Sequence, residues 1–151
     1  MYFDGSSSKE GAGARIVLVS PGGEVICLMY KLEFETTNNT VEYEALILGL
    51  RAVKDLGIQQ LSVYGDSKLV VQWVKDKYQV KRDWLKVYRN EVWDMIDSFF
   101  IAFNIYFIPS GHNQIIDSLA LETTHFKIPK QTQLKYPIEV KYRPSIPDNI
   151  R

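Results

Sequence analysis

The order of the apolar segments along the chain is the strongest constraint on its fold. Two β-favouring runs, residues 14–19 and 25–31, flank Ser20-Pro21-Gly22-Gly23, a combination typical of a hairpin turn. A further short strand is expected at residues 32–35. Apolar residues then recur at helical spacing over residues 39–56, and Gly57 stands where a helix C-terminal cap belongs. Antiparallel strands therefore precede the first helix.

The second half of the chain alternates between strand and helix patterns. Strands are predicted at residues 61–64 and 102–108, and helices at residues 67–74, 84–99 and 113–124. This order predicts an α/β protein with a mixed sheet and helices packed on its faces. It does not fit a purely parallel, doubly wound fold.

Length and proline content predict one domain followed by a tail. A chain of 151 residues with 46% hydrophobic content is long enough for one well-packed domain and too short for two. After residue 124, prolines interrupt every short apolar stretch and exclude a long helix. We expect a domain over residues 1–124 and a linker or tail over residues 125–151.

Charge and cysteine content restrict the partners. Basic and acidic residues number 18 each, so net charge does not indicate a nucleic-acid partner. Residues 75–89, however, contain six basic side chains against two acidic ones, interleaved with aromatic residues. This stretch either contacts phosphates or contributes its aromatic residues to the core. A single cysteine and the absence of a long apolar run favour a soluble protein of a reducing, intracellular compartment that is not embedded in a membrane.

Four carboxylates lie at or near the ends of predicted elements: Asp4, Glu42, Asp66 and Asp117. Each has an ordinary structural explanation when taken singly. Asp4 belongs to a common turn pair, Asp66 can cap a helix, Glu42 stands at capping-box spacing after Asn39, and Asp117 can be a solvated helix residue. Singly, those explanations are favoured.

Together, the carboxylates indicate a metal site. The first strand and the buried strand before Asp66 are expected to be neighbours, and the first helical turn can present Glu42 beside Asp4. Clustered like charges repel by several kcal/mol unless cations neutralise them. Oxygen ligands suit Mg²⁺, and two such ions activate a water and stabilise a leaving oxygen in phosphodiester cleavage. The pattern predicts a nuclease or a phosphotransferase.

The same residues resemble the type 1 ribonuclease H family over residues 1–124, in the family's order. Four motifs carry the resemblance, and the second is the most specific. They are Tyr2-Phe3-Asp4-Gly5-Ser6, Thr37-Asn38-Asn39-Thr40-Val41-Glu42, Tyr64-Gly65-Asp66-Ser67 and Ile116-Asp117-Ser118-Leu119-Ala120. Ile116 replaces the small residue that usually precedes the last aspartate.

The resemblance implies a fold, an activity and a set of site residues. The fold would be ribonuclease H-like, a mixed five-stranded sheet of three antiparallel and then two parallel strands, with helices on both faces. The activity would be metal-dependent endonucleolytic hydrolysis of the RNA strand of RNA/DNA hybrids by two Mg²⁺ ions, with Mn²⁺ as a substitute. Catalytic metal ligands would be Asp4, Glu42, Asp66 and Asp117; hybrid contacts would come from Thr37, Asn38, Asn39, Ser6, Lys81 and Arg82.

The role of His112 and the activity of the domain each have two interpretations. His112 lies five residues before Asp117, where many members place a loop histidine that assists proton transfer or product release, but an ordinary role at a helix entry is equally compatible. The alternative to an active enzyme is a catalytically degenerate module that binds nucleic acid or acts as a spacer.

The opening at residues 4–13 and the short loop at His112 resemble the ribonuclease H module of plant Ty3/gypsy-type retrotransposon polyproteins. Residues 138–144 resemble the connector towards an integrase in such polyproteins. Reverse transcriptase and integrase domains of one polyprotein would then be partners, and the cellular location would be cytoplasmic or nuclear.

Overall fold

The computed structural model describes residues 1–9, 11–76, 83–109 and 139–146. Its strands are β1 Tyr2–Ser8, β2 Gly11–Val19, β3 Val25–Leu32, β4 Gln60–Gly65, β5 Ala102–Phe107 and β6 Glu139–Lys141. Its helices are α1 Asn38–Asp55, α2 Lys68–Asp76 and α3 Asp83–Phe99. The helix predicted at residues 113–124 lies outside the described residues.

The described strands form one mixed sheet in the order β5-β4-β1-β2-β3-β6. β1, β2 and β3 pair antiparallel, whereas β4 pairs parallel to both β1 and β5. This confirms the predicted strand order, in which three antiparallel strands are followed by two parallel ones. The sheet has six strands rather than five, because β6 adds to the free edge of β3 in parallel orientation.

The segment after β3 differs from the prediction. The separate strand expected at residues 32–35 is wrong, because β3 itself continues to Leu32 and the chain then leaves the sheet. One ladder-like contact persists beyond the strand, since the Glu33 N–H donates to the Lys141 carbonyl at 2.8 Å. The predicted hairpin turn is confirmed: the Gly23 N–H donates to the Ser20 carbonyl at 3.0 Å.

Helix α1 begins and ends at the signals that the sequence contains. Thr37 is the N-cap, and its hydroxyl accepts a hydrogen bond from the Thr40 N–H at 3.3 Å. At the other end, Gly57 adopts a φ of 75° and donates to the Lys54 carbonyl, while Ile58 donates to the Val53 carbonyl. This is a Schellman ending, which requires a left-handed residue and so favours glycine.

The core lies between the sheet and the three described helices. α1 packs on β1 and β2, α2 packs on β5, and all three helices contact one another. Alternate strand residues such as Phe3, Ile16 and Val63 are buried in this layer. The opposite face carries a row of stacked rings, with 4.9 Å between the centroids of Tyr2 and Tyr64 and 5.3 Å between those of Tyr64 and Tyr106.

Residues 139–146 are packed onto the domain, which the sequence did not predict. Besides forming β6, this segment buries Ile146 and directs Ser145 to the buried carboxylate of Glu44. The Ser145 N–H and hydroxyl donate to the two Glu44 oxygens at 2.8 and 2.6 Å, and the Tyr88 hydroxyl donates at 2.6 Å. Three hydrogen bonds offset the cost of burying this charge. Among the described helices, none is long and apolar enough to cross a membrane.

Candidate metal centre

Asp4 is held in the middle of the sheet. It lies within β1, where the chain is extended, so the turn suggested by the Asp4-Gly5 pair is not formed. Its cross-strand partner in β2 is Arg15, and the Arg15 guanidinium lies 3.7 Å from an Asp4 oxygen. The half-exposed pair fixes the carboxylate by a charge contact while keeping it accessible.

Asp66 follows β4 directly and is not used as a helix cap. Ser67 performs that role for α2, because its hydroxyl accepts from the Val70 N–H at 3.4 Å. The preceding Gly65 pairs with Phe3 of β1, and a Cβ on Gly65 would lie only 2.4 Å from the Phe3 ring. The glycine therefore allows β4 and β1 to approach at the point where both supply an acid.

Glu42 reaches the sheet from the first half of α1. The capping-box explanation fails, because the N-cap is Thr37 and Asn39 already lies inside the helix. Glu42 Oε1 accepts a hydrogen bond from the Gly5 N–H at 3.3 Å. A Cβ on Gly5 would lie 2.5 Å from Val41 Cγ1 and 2.6 Å from the Val41 carbonyl oxygen. Glycine at position 5 is thus what lets α1 pack against β1 closely enough to deliver Glu42.

The three carboxylates converge on one point. Asp4, Glu42 and Asp66 each offer an oxygen that lies within 4.8 Å of the others, and all three are half-buried. Burial, reinforced by the charges of Asp4 and Asp66 and opposed by the Gly5 N–H, raises the pKa of Glu42 to about 8. The site therefore resists carrying three negative charges on its own.

A divalent cation fits this arrangement. Glu42 Oε2 is buried and, among the described residues, has no hydrogen-bond partner. Such an orphaned acceptor is costly unless a cation or a proton satisfies it. Three convergent carboxylate oxygens form the hard, anionic donor set that oxygen-seeking divalent cations prefer. The residues present thus fit a metal, which Asp4, Glu42 and Asp66 would hold.

Four further predicted site residues lie close to this cluster in the chain. Thr37 and Asn38 are exposed at the start of α1, and Asn39 is half-buried beside them. Asn38 precedes Glu42 by four residues, so both point to one side of the helix. Ser6 is exposed on β1 and, two residues after Asp4, shares its face of the sheet.

The remaining predicted site residues, Asp117, His112, Lys81 and Arg82, lie outside the described residues. Within the basic stretch, the core explanation holds for Tyr88, which is buried and bonded to Glu44. Arg89 lies over the Trp93 ring, with its guanidinium carbon 4.2 Å from the ring centroid.

Arg15 is the residue near the site that the sequence did not single out. Its contact with Asp4 depends on the β1–β2 register, which pairs these two residues across the hairpin. Neither motif nor spacing reveals that register. The signal to seek is a basic residue in the second strand of a hairpin whose first strand contains a candidate ligand.

The chain matches one family model and is similar to solved structures. The model of a family described as reverse transcriptase-like matches residues 2–123, which include the three clustered acids and Asp117. The chain is also similar to the crystal structure of RNase H1 from Halobacterium salinarum, with a TM-score of 0.69, 30% identity and coverage of 83% of this chain and 96% of that one. The chain belongs to the type 1 ribonuclease H family.

Two further comparisons show the breadth of the match. The ribonuclease HI of Halobacterium salinarum is 31% identical over 123 residues, which are 80% of this chain and 61% of that protein. The chain thus spans less than two thirds of the length of this curated relative. LC11-RNase H1, solved in complex with an RNA/DNA hybrid, superimposes with a TM-score of 0.68 at 27% identity, covering 78% of this chain and 90% of that one. The fold is ribonuclease H-like, as the sequence predicted.

Proposed function

We propose that this protein is a ribonuclease H that hydrolyses the RNA strand of RNA/DNA hybrids with two Mg²⁺ ions, or Mn²⁺ in their place. The convergence of Asp4, Glu42 and Asp66, with Glu42 Oε2 left without a described partner, is the observation that carries the proposal. Family membership supports the reaction, and the relative solved with an RNA/DNA hybrid supports the substrate.

The roles of the three acids follow from their surroundings. Asp4 on β1 and Asp66 directly after the neighbouring β4 would face the phosphate, and Glu42 would complete the donor set from α1. Bound divalent cations would activate the attacking water and neutralise the departing oxygen. Asp117 is proposed as the fourth ligand and His112 as an assistant in proton transfer, both from the family motif.

Hybrid recognition is proposed for the start of α1 and the end of β1. Thr37 and Asn38 are exposed there, and Ser6 shares the face of Asp4. Short hydroxyl and amide side chains suit contacts to 2′-hydroxyls across a wide, shallow minor groove. Lys81 and Arg82 are proposed to add phosphate contacts that depend on salt but not on sequence.

The retroelement origin is a further proposal. The motif at residues 4–13 supports it, as does the description of the matching family as reverse transcriptase-like. Under this proposal, reverse transcriptase and integrase domains of one polyprotein are the partners of the domain.

The test is cleavage of an end-labelled RNA/DNA hybrid beside duplex RNA and duplex DNA, with Mg²⁺, with Mn²⁺ and with chelator. We expect metal-dependent cutting of the RNA strand of the hybrid alone. A folded protein that binds the hybrid without cutting it would instead indicate a catalytically degenerate binding module.

Asp66→Asn sharpens this test. The substitution removes one ligand charge while Ser67 still caps α2, so the fold should persist. We expect cleavage to fall by at least about a hundredfold, because loss of a direct ligand should exceed the roughly 10–100-fold loss caused by removing a group that only orients a ligand. Hybrid binding should be kept or tightened. Asp94→Asn, a change of an exposed carboxylate on α3, is the matched control. Equal turnover in both variants would contradict the metal mechanism.

A further inference from the structure

A basic side chain borders the acidic cluster on one side. Asp66 directly follows β4, Asp4 lies on β1 and Arg15 lies on β2, and these three strands are neighbours in that order. The register pairs Asp4 with Arg15, and residues paired across antiparallel strands project from the same face of a sheet. Asp4 therefore has a carboxylate on one side and a guanidinium on the other.

The strand neighbours of Arg15 leave Asp4 as its charged cross-strand partner. Gly13 and Val17 precede and follow it on the same face of β2. Gly13 has no side chain, and Val17 is buried and apolar. On β3, the residue opposite Arg15 is Met29, which is also uncharged. Among the residues that the register places beside Arg15, Asp4 is thus the one with a charge.

The contact between Arg15 and Asp4 is one that a divalent cation can displace. The nitrogen and oxygen atoms are 3.7 Å apart, which is a charge contact rather than a hydrogen bond. The Arg15 side chain is 30% exposed and the Asp4 side chain 34%, so water screens their attraction. Asp4 also belongs to a convergent set of three carboxylates, which attracts a doubly charged ion more strongly than a single charge.

Arg15 opposes cation binding even after the contact is displaced, because its charge remains. Guanidinium groups stay protonated in proteins, so this charge is not lost by titration. In the metal-free protein it offsets part of the repulsion among the clustered acids. Beside a cation bound to Asp4, it is a like charge. Arg15 therefore stabilises the metal-free state and destabilises the metal-bound state.

We propose that Arg15 is a built-in competitor of the metal, a resident cation beside Asp4 that lowers the affinity of the hybrid-free site for divalent cations. The residue acts on the metal through the carboxylate that both of them contact, and it is not itself a ligand. The affinity of the site is then set by β2 as well as by the three acids. The inference rests on the proposed function, because it requires that the acids hold a metal.

The experiment measures Mn²⁺ binding by the 151-residue chain without hybrid, from the loss of the electron paramagnetic resonance signal of free Mn²⁺. Arg15→Gln and Arg15→Met each remove the charge, and Arg15→Lys keeps it. Lys31→Gln is the matched control. Lys31 is an exposed basic residue of β3 on the same face of the sheet, and β3 lies about 10 Å from β1.

We expect both neutral variants of Arg15 to bind Mn²⁺ at least about threefold more tightly than wild type. Two unit charges about 4 Å apart in bulk water change a binding constant about fivefold, and salt screens part of this effect. Arg15→Lys and Lys31→Gln should stay within about twofold of wild type. A purely structural role predicts the opposite sign, because a less well positioned Asp4 would bind Mn²⁺ more weakly.

Urea unfolding in chelator checks that the neutral variants are folded, and their free energy of unfolding should not exceed that of wild type. Equal or weaker Mn²⁺ binding by both neutral variants, or an equal gain in Lys31→Gln, would overturn the proposal. If wild type still bound Mn²⁺ and cleaved the hybrid, that result would leave the proposed function intact. Absence of Mn²⁺ binding by wild type and by the neutral variants would contradict the proposed metal centre as well.

Discussion

Replacing Glu42 by glutamine should stabilise the metal-free protein at alkaline pH. The pKa of Glu42 rises from 4.5 to about 8, chiefly because the carboxyl is buried and also because Asp4 and Asp66 face it. Between those two pH values the folded protein binds a proton that the unfolded chain has released. The contribution of Glu42 protonation to the free energy of unfolding is therefore fully present below pH 4.5 and is lost as the pH rises towards 8.

The magnitude follows from the size of the pKa change. At about 1.4 kcal/mol per pKa unit, the charged carboxylate destabilises the fold by at most about 5 kcal/mol above pH 8. Glu42 is only half-buried, so solvent screening lowers the measurable part. We expect Glu42→Gln to exceed wild type by at least about 2 kcal/mol in free energy of unfolding at pH 8.5. The amide keeps an acceptor for the Gly5 N–H.

The assay is urea unfolding in chelator at pH 5 and pH 8.5, repeated with Mg²⁺. The excess in free energy of unfolding of Glu42→Gln over wild type should be smaller at pH 5 than at pH 8.5. Mg²⁺ should stabilise wild type more than the variant. Glu35→Gln, a change of an exposed carboxylate just before α1, is the matched control and should show neither effect. If Glu42→Gln behaves like Glu35→Gln at pH 8.5, the argument from a strained acidic cluster is refuted.

Two further substitutions test the packing around the site. Gly5→Ala should lower the free energy of unfolding by about 2 kcal/mol or more, because its Cβ would lie 2.6 Å from the Val41 carbonyl oxygen. Gly22→Ala is the control and should change the free energy of unfolding little. Urea unfolding of both variants checks this prediction. Ser145→Ala should lower the free energy of unfolding by about 1–3 kcal/mol, since it removes a 2.6 Å hydrogen bond to buried Glu44. Equal urea midpoints for this variant and wild type would contradict a stabilising role for this hydrogen bond.

Much of the fold could be predicted because its signals are local. The turn at residues 20–23 and the Gly57 ending are each encoded within a few residues. The cap at Thr37 was not predicted, because the capping-box spacing favoured Asn39. Apolar patterns then identified the described helices and strands β2 to β5, whereas β1 was recognised from its motif. The three described acids were singled out by the family motifs that contain them, since the local position of each one alone favoured an ordinary structural role.

Other features depend on contacts that no local pattern reveals. β6 has three residues and is a strand only because the edge of β3 pairs with it. Glu44 is buried in the middle of α1, where its carboxylate is satisfied by Tyr88 and Ser145, 44 and 101 residues away. The Arg15 contact with Asp4 requires the hairpin register. Tertiary pairing, rather than propensity, decides each of these features.

The central claim is that Asp4, Glu42 and Asp66 together hold a divalent cation that acts on an RNA/DNA hybrid. The most direct test is a crystal structure of the protein with Mn²⁺ and a hybrid, measured for anomalous scattering of manganese. We predict an anomalous peak at roughly 2.0–2.3 Å from an oxygen of each of the three carboxylates and beside a hybrid phosphate. Manganese bound only elsewhere, with the three carboxylates free of metal, would contradict the account.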